Sequence, residues 1–421
     1  MSVASLFNLV AVVVTLAAVC GWVNHRWIRL PHTIGLVVLA LVVSLLALGL
    51  DALVPALGLE AAVRETLVQI DFDDTLMTGM LGFLLFAGAL HVDLDQLHRQ
   101  RWAIATLATV GILISTGIVA GAAYVLTGLA GLDVPLTYCL VFGALISPTD
   151  PIAVLGILKQ AAVPGSLEAK IAGESLFNDG VGVVLFTILV AMATGGGEHG
   201  PLTPGGVARL FVTEAVGGVV LGLAAGYLTY RAMRAIDERG LEVLLTLALV
   251  MGTYAVALRV HVSGPIAMVV AGLFIGNHGA RFAMSERTRD HVTTFWSLLD
   301  EILNSLLFLA IGFEVFALSL TPATLGFAAA AIPLVLVARF VSVAVPVRLL
   351  AVWREFSAGA IPVLTWGGLR GGISVALALS LPPLPVRDQI LAATYGVVVF
   401  SIVVQGLTIE RVVRASVAPA T

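Results

Sequence analysis

Apolar runs of membrane-crossing length recur along the whole chain, each cut off by a turn or a cluster of charges. A helix needs about 20 apolar residues to cross the hydrocarbon layer, and runs of that kind are read as spans. The pattern predicts thirteen, at 5–23, 33–50, 75–91, 103–126, 137–158, 171–193, 207–230, 241–258, 264–277, 294–316, 327–347, 357–381 and 390–410. The ninth is too short to cross alone, so neighbouring polar sequence is expected to prolong it. No soluble domain is expected after the last. Composition agrees: 59% of residues are hydrophobic, 11% are charged and the mean hydropathy is +1.05, which excludes a soluble domain. The net charge of −4 adds little. Cys20 and Cys139 lie in apolar helices and read as packing residues. No Lys or Arg precedes Arg26, so the first run is expected to stay as a helix and not to be cleaved as a signal.

Charge between the spans sets the orientation. Connections after odd-numbered spans carry sixteen Lys or Arg residues, among them Arg26, Arg99, Lys159, Lys170, Arg287 and Arg411. Those after even-numbered spans carry three: Arg64, Arg259 and Arg387. Basic loops stay in the cytoplasm, so the N-terminus is expected outside and the C-terminus inside. The outer connection from Asp51 to Asp74 holds six acids and is expected to be a solvated loop with an amphipathic helix.

Polar residues within the apolar runs point to chemistry. The sixth span holds A-G-E-S-L-F-N-D-G-V-G-V-V-L-F over 172–186. A charge at such depth costs about 2.5–3.5 kcal/mol on insertion scales and marks an ion path or proton relay. Ser175 and Asp179 are four residues apart and share a helix face. Glu174 and Asn178 share the adjacent one. The fifth span is broken by Ser147-Pro148-Thr149-Asp150-Pro151, where two prolines remove amide donors. The twelfth is broken by Trp366-Gly367-Gly368-Leu369-Arg370-Gly371-Gly372. Broken backbone at membrane depth belongs in a protein-lined or wet cavity. Paired interruptions in two halves point to a transporter's binding site. Spans 1–6 and 8–13 are therefore expected to be inverted repeats, about 1–193 and 241–412, with a linker helix at about 207–230. Glu174 is expected to pair with Arg370. Arg339 would neutralise Asp150 or bond freed carbonyls. Three carboxylates (Asp150, Glu174, Asp179) against two arginines leave about one negative charge for a mobile cation or a proton.

Four segments then carry a resemblance: F-G-A-L-I-S-P-T-D-P-I-A-V-L-G-I-L-K (142–159), G-E-S-L-F-N-D-G-V-G-V-V-L-F (173–186), L-N-S-L-L-F-L-A-I-G-F-E (303–314) and G-G-L-R-G-G-I-S-V-A-L-A-L-S (367–380). Together they resemble the NhaP/NHE branch of the cation:proton antiporters, over nearly the whole chain. The resemblance implies an all-α fold of thirteen transmembrane helices with crossing interrupted helices, a homodimer in a bacterial-type cell membrane, and exchange of sodium for protons. It implies that Asp179 binds the ion, with Ser175, Thr149 and Asp150 beside it, Asn178 in support, and Glu174 with Arg370 as a structural pair. The Asn178-Asp179 pair is similar to that of electroneutral members. One position departs: Ala87 stands where many relatives carry an acid in the third span, which leaves sodium-versus-potassium preference open. His91 nearby reads as an interfacial histidine.

The remaining polar residues read blandly. Asp300, Glu301 and Glu314 are expected in structural or interfacial roles, Glu214 and Glu242 as solvated or capping groups. His199, His261, His278 and His291 are expected to be solvated. Gly195-Gly196-Gly197 follows no strand, so no nucleotide or nucleic-acid partner is expected. The function expected is antiport, with no enzymatic activity and no cofactor. Cation and proton compete at Asp179, and Asn178 donates to the carbonyls of the broken helix. A potassium/proton antiporter is the nearest alternative. A channel is disfavoured by paired broken helices around one titratable site. An intramembrane aspartyl protease would place its aspartates in other contexts.

Overall fold

The computed structural model describes residues 3–54, 79–129, 131, 134–150, 154, 158, 164–195, 204–318, 321–354, 356–357, 359–382, 384 and 386–416. Each predicted span meets helix among them. In chain order these are α1 (Val3–Val23), α2 (His32–Leu53), α3 (Leu81–Leu90), α4 (Leu94–Leu129), α5 (Leu136–Ile146), α6 (Gly165–Ala193) and α7 (Pro204–Met233). They continue with α8 (Arg239–Val260), α9 (Gly264–Phe274), α10 (Glu286–Phe313), α11 (Pro322–Leu350), α12 (Ala360–Trp366), α13 (Gly372–Leu379) and α14 (Arg387–Ser416). Among the described residues, eight of these are long and apolar enough to cross a membrane unaided. The acidic connection from residue 55 to Asp74, together with Lys159, Gly196, Gly197 and His199, lies outside the described residues.

Several helices start earlier than their apolar runs. α4 begins at Leu94 and α10 at Glu286, each opened by a polar cap. The Asp93 carboxylate accepts from the Asp95 and Gln96 amides at 2.8 and 3.3 Å, and the Ser285 hydroxyl accepts from the Thr288 amide at 3.3 Å. Such caps satisfy first-turn donors without apolar residues, so hydropathy alone misses them. α9 is prolonged as expected, through a widened turn at Ile275–Gly279 and on to Ala280–Phe282. α6 starts at Gly165 and takes in Lys170, which was read as a loop residue. Lys170 is buried with its ammonium 4.7 Å above the Phe356 ring.

The core has two main bodies. One joins α2, α4, α5, the C-terminal part of α10, α11, α13 and α14, with Phe142, Leu145, Phe308 and Val398 deeply buried. The other joins α3, α8, α9 and α10 around Trp296, which stacks with Phe83, packs against the tilted ring of Phe86 and donates to the Thr246 hydroxyl at 2.9 Å. A third, smaller cluster packs around the two broken spans. α6 touches all three, which is why its polar stretch is buried from every side. Large apolar side chains such as Trp22, Val212, Val220 and Val337 point outward, as lipid contact requires.

Candidate functional site

The two broken spans meet. After α5 the chain is extended, and between α12 and α13 it is extended again. Asp150 and Leu369 form an antiparallel bridge there, with the Asp150 amide donating to the Leu369 carbonyl at 2.8 Å. Freed backbone groups at membrane depth must find partners, and here they do. Arg370 Nη1 donates to the carbonyls of Ser147 and Pro148 at 2.5 and 2.9 Å. The Arg370 amide donates to the Ser401 hydroxyl at 2.9 Å, and Gln405 Nε2 donates to the Trp366 carbonyl at 3.1 Å. Arg339 donates from Nε and Nη2 to the Leu364 carbonyl at 3.2 and 2.9 Å. Ser401 and Gln405 bound a widened turn of α14, a deformation often found at functional sites. The sequence reading missed both residues; the signal was a serine and a glutamine four apart in an otherwise apolar run.

The expected ion pair is corrected. Glu174 pairs with Arg339, not Arg370. Arg339 Nη1 holds Glu174 Oε1, and Nη2 reaches Oε2 at 3.1 Å. Both side chains are buried. The fork-on-carboxylate geometry is the one a guanidinium favours. Arg370 is instead spent on the carbonyls of the other broken span. Arg339 does bond a freed carbonyl, as one of its two expected roles required, and that carbonyl, of Leu364, belongs to the twelfth span.

Asn178 also differs in detail. Its amide group clamps Thr149: Oδ1 accepts from the Thr149 amide at 3.3 Å, and Nδ2 donates to the Thr149 hydroxyl at 2.8 Å. It makes no described bond to a freed carbonyl. The Ser175 hydroxyl lies 3.0 Å from the same Thr149 hydroxyl. Two successive faces of α6 therefore grip the break after α5. Glu174, next to Ser175, is turned toward α11 instead.

Glycines let these elements close up. A methyl group added at Gly371 would collide with the Asp150 carboxylate, and one at Gly368 with the Arg339 guanidinium. Gly182 lies equally tight against Pro148. The glycine cluster in the twelfth span is thus needed for close approach. Gly371→Ala is expected to cut transport to under about a tenth while the protein still purifies as a single species, because one methyl displaces a site carboxylate without opening the apolar core. Exchange rates in proteoliposomes, with gel filtration as control, check this.

A cavity of about 320 Å³ reaches Asp150 and Asp179. Asp179 is 6% exposed, and its Oδ1 has no hydrogen-bond partner among the described residues. α3 contributes Leu81, Leu85, Ala87 and Gly88 to the wall, with no acid at Ala87. His91 and Ser297 stand at the other end, bonded to each other at 2.8 Å. His91 also bonds the Ala87 carbonyl at 2.7 Å and is itself exposed where it lines the cavity. Asp300 and Asn304 line it as well. Asp300 was expected to be structural or interfacial; hydropathy and spacing gave no sign that α10 turns this face inward. Glu301 is exposed, Glu314 is buried in the short turn after α10, and Glu242 sits buried in the first turn of α8. A larger cavity, about 370 Å³ between α4, α5 and α11, is almost wholly apolar and holds none of these carboxylates.

Comparison with known proteins gives a consistent result. The family described as sodium/hydrogen exchanger, transmembrane, matches residues 14–415. A protein named Na(+)/H(+) antiporter NhaP from Pseudomonas aeruginosa is 51% identical over 413 residues, covering 97% of this chain and 96% of its own length. The Na(+)/H(+) antiporter NhaH of Halobacillus dabanensis is 39% identical over 82% of this chain and 83% of its own. Among solved structures, the sodium proton antiporter MjNhaP1 from Methanocaldococcus jannaschii superposes with a TM-score of 0.74 at 18% identity, covering 97% of both chains. At that identity the match speaks for the fold.

Proposed function

The chain belongs to the sodium/hydrogen exchanger family, and from that premise we propose that it exchanges sodium for protons across a cell membrane. Asp179 carries one or the other in turn. The observation that carries the reading is the free Asp179 oxygen at the end of a cavity beside two crossed, broken spans. A dehydrated sodium ion needs several oxygens. Asp179, Asp150, the Ser175 hydroxyl and the Thr149 carbonyl are the proposed donors, and Asn178 holds Thr149 in place for them. Glu174–Arg339 and Arg370 keep the crossing rigid and take no part in loading. No cofactor and no covalent chemistry are called for.

In the proposed orientation the N-terminus is outside and the C-terminus inside, and the His91 end of the cavity faces the cytoplasm. The two halves, about 1–193 and 241–412, form the inverted repeats around the linker helix α7. The working unit is a homodimer, and the site moves against the dimer scaffold to alternate access. Sodium is preferred as cargo to lithium or potassium on the names of the relatives. Proteoliposomes loaded with a pH dye and challenged with each cation test the reading. Proton movement driven by sodium supports it, and movement driven by potassium alone replaces it with potassium/proton exchange.

Stoichiometry follows from the charge count. Asn178 is neutral, Arg339 neutralises Glu174, and Asp150 stays ionised at the broken helices, so Asp179 is the single proposed carrier. Exchange is expected to be electroneutral, one sodium for one proton. An imposed membrane potential should leave the sodium-driven rate unchanged. A steady sodium-dependent current on a solid-supported membrane would mean that a second group carries a proton.

A further inference from the structure

The α10 wall of the cavity has no part in the site drawn so far. Asp300 and Asn304 are four residues apart, on one face of that helix, and both line the cavity that Asp150 and Asp179 line from α6 and the break after α5. Asn304 is 2% exposed, yet neither its amide oxygen nor its nitrogen has a hydrogen-bond partner among the described residues. Asp300, one turn earlier, interacts with it without a hydrogen bond of ordinary geometry. Asp300 is also near enough to Asp150 for the two charges to act on each other. Leaving a buried polar group unsatisfied costs about 1–3 kcal/mol, and like charges sharing one cavity add to that. One positive ion coordinated between them relieves both costs. The α3 wall cannot help, since Leu81, Leu85, Ala87 and Gly88 offer no side-chain oxygen.

We infer that Asp300 and Asn304 are cation-coordinating residues: an Asp300 carboxylate oxygen and Asn304 Oδ1 supply the α10 side of the oxygen shell for the alkali cation bound at Asp179 and Asp150. The inference rests on the exchange reading for its cargo, a dehydrated monovalent cation. It adds the donors that set affinity and selectivity. A carboxylate on a helix across from α6 also lets the shell open and close as the two bodies shift, because its oxygens ride on a different element from those of Asp179.

The test pairs a binding readout with a transport readout. Sodium binding to the purified protein raises its Tm by mass action. In Asp300→Asn and Asn304→Leu, about ten times more sodium should be needed for the same rise. In proteoliposomes the KM for sodium should rise by a similar factor, with a smaller change in kcat, since lost ligands appear chiefly in KM when binding is uniform. Asp300→Glu should bring KM back to within about threefold of the parent and alter the sodium-to-lithium ratio. Unchanged sodium dependence of Tm in both variants, or a kcat loss at constant KM, would overturn the inference. Failure of the exchange reading is separate: the parent protein would then move no protons with sodium, while the sodium-dependent rise in Tm and its weakening in Asp300→Asn and Asn304→Leu would still report the binding shell.

Discussion

Asp179→Asn is expected to abolish cation-driven proton movement while leaving the fold intact. The amide has the size of the carboxylate but can neither hold a proton in exchange for a cation nor offer it a full charge. Asp179 Oδ1 takes part in no hydrogen bond among the described residues, so the substitution breaks no contact of that atom that holds helices together. The Thr149 clamp belongs to Ser175 and Asn178 and stays in place. Transport should fall below detection in proteoliposomes, and sodium should no longer raise the Tm. The folded yield should be that of the parent. Substantial sodium-driven proton flux through purified Asp179→Asn would refute the proposed carrier.

Glu174→Ala is expected to be the most destabilising single change at the crossing. It strands the buried Arg339 guanidinium, and breaking a buried pair by removing one partner costs about 3–5 kcal/mol. The double variant Glu174→Ala/Arg339→Ala should lose clearly less than the sum of the single losses. Glu174→Ala combined with Arg370→Ala should come much closer to additivity, because Arg370 spends its Nη1 on the Ser147 and Pro148 carbonyls. Thermal unfolding in detergent of the three single and two double variants with the parent decides between the partners. Stronger coupling of Glu174 to Arg370 than to Arg339 would contradict the geometry. A three-way cycle is not needed, since the two arginines serve opposite broken spans.

Comparing these residues with the sequence shows which information is local. Period and composition determined that the chain is a helical membrane protein, and they placed each span on helix. Backbone in hydrocarbon must bond within the protein, a continuous apolar run of this length does so as a helix, and such runs declare themselves one by one. The breaks were equally legible. Prolines around Asp150 and glycines around Arg370 dictate local backbone behaviour whatever lies nearby, and a carboxylate such as Asp179 in an apolar run is costly enough to require a purpose. Partnership was different. Arg339 and Arg370 carry the same charge at similar depth, and only the packing of α11 against α6 decided which one Glu174 meets. Asp300 and Asn304 sit in a helix whose polar start looks like any capped, solvated end, and only its rotation about its own axis turned them into the cavity. Ser401 and Gln405 became partners of the broken span because α14 widens beside it. Helix, break and buried charge follow from each residue and its near neighbours; pairing, facing and enclosure depend on residues far apart in the chain, and the tertiary structure alone brings those together.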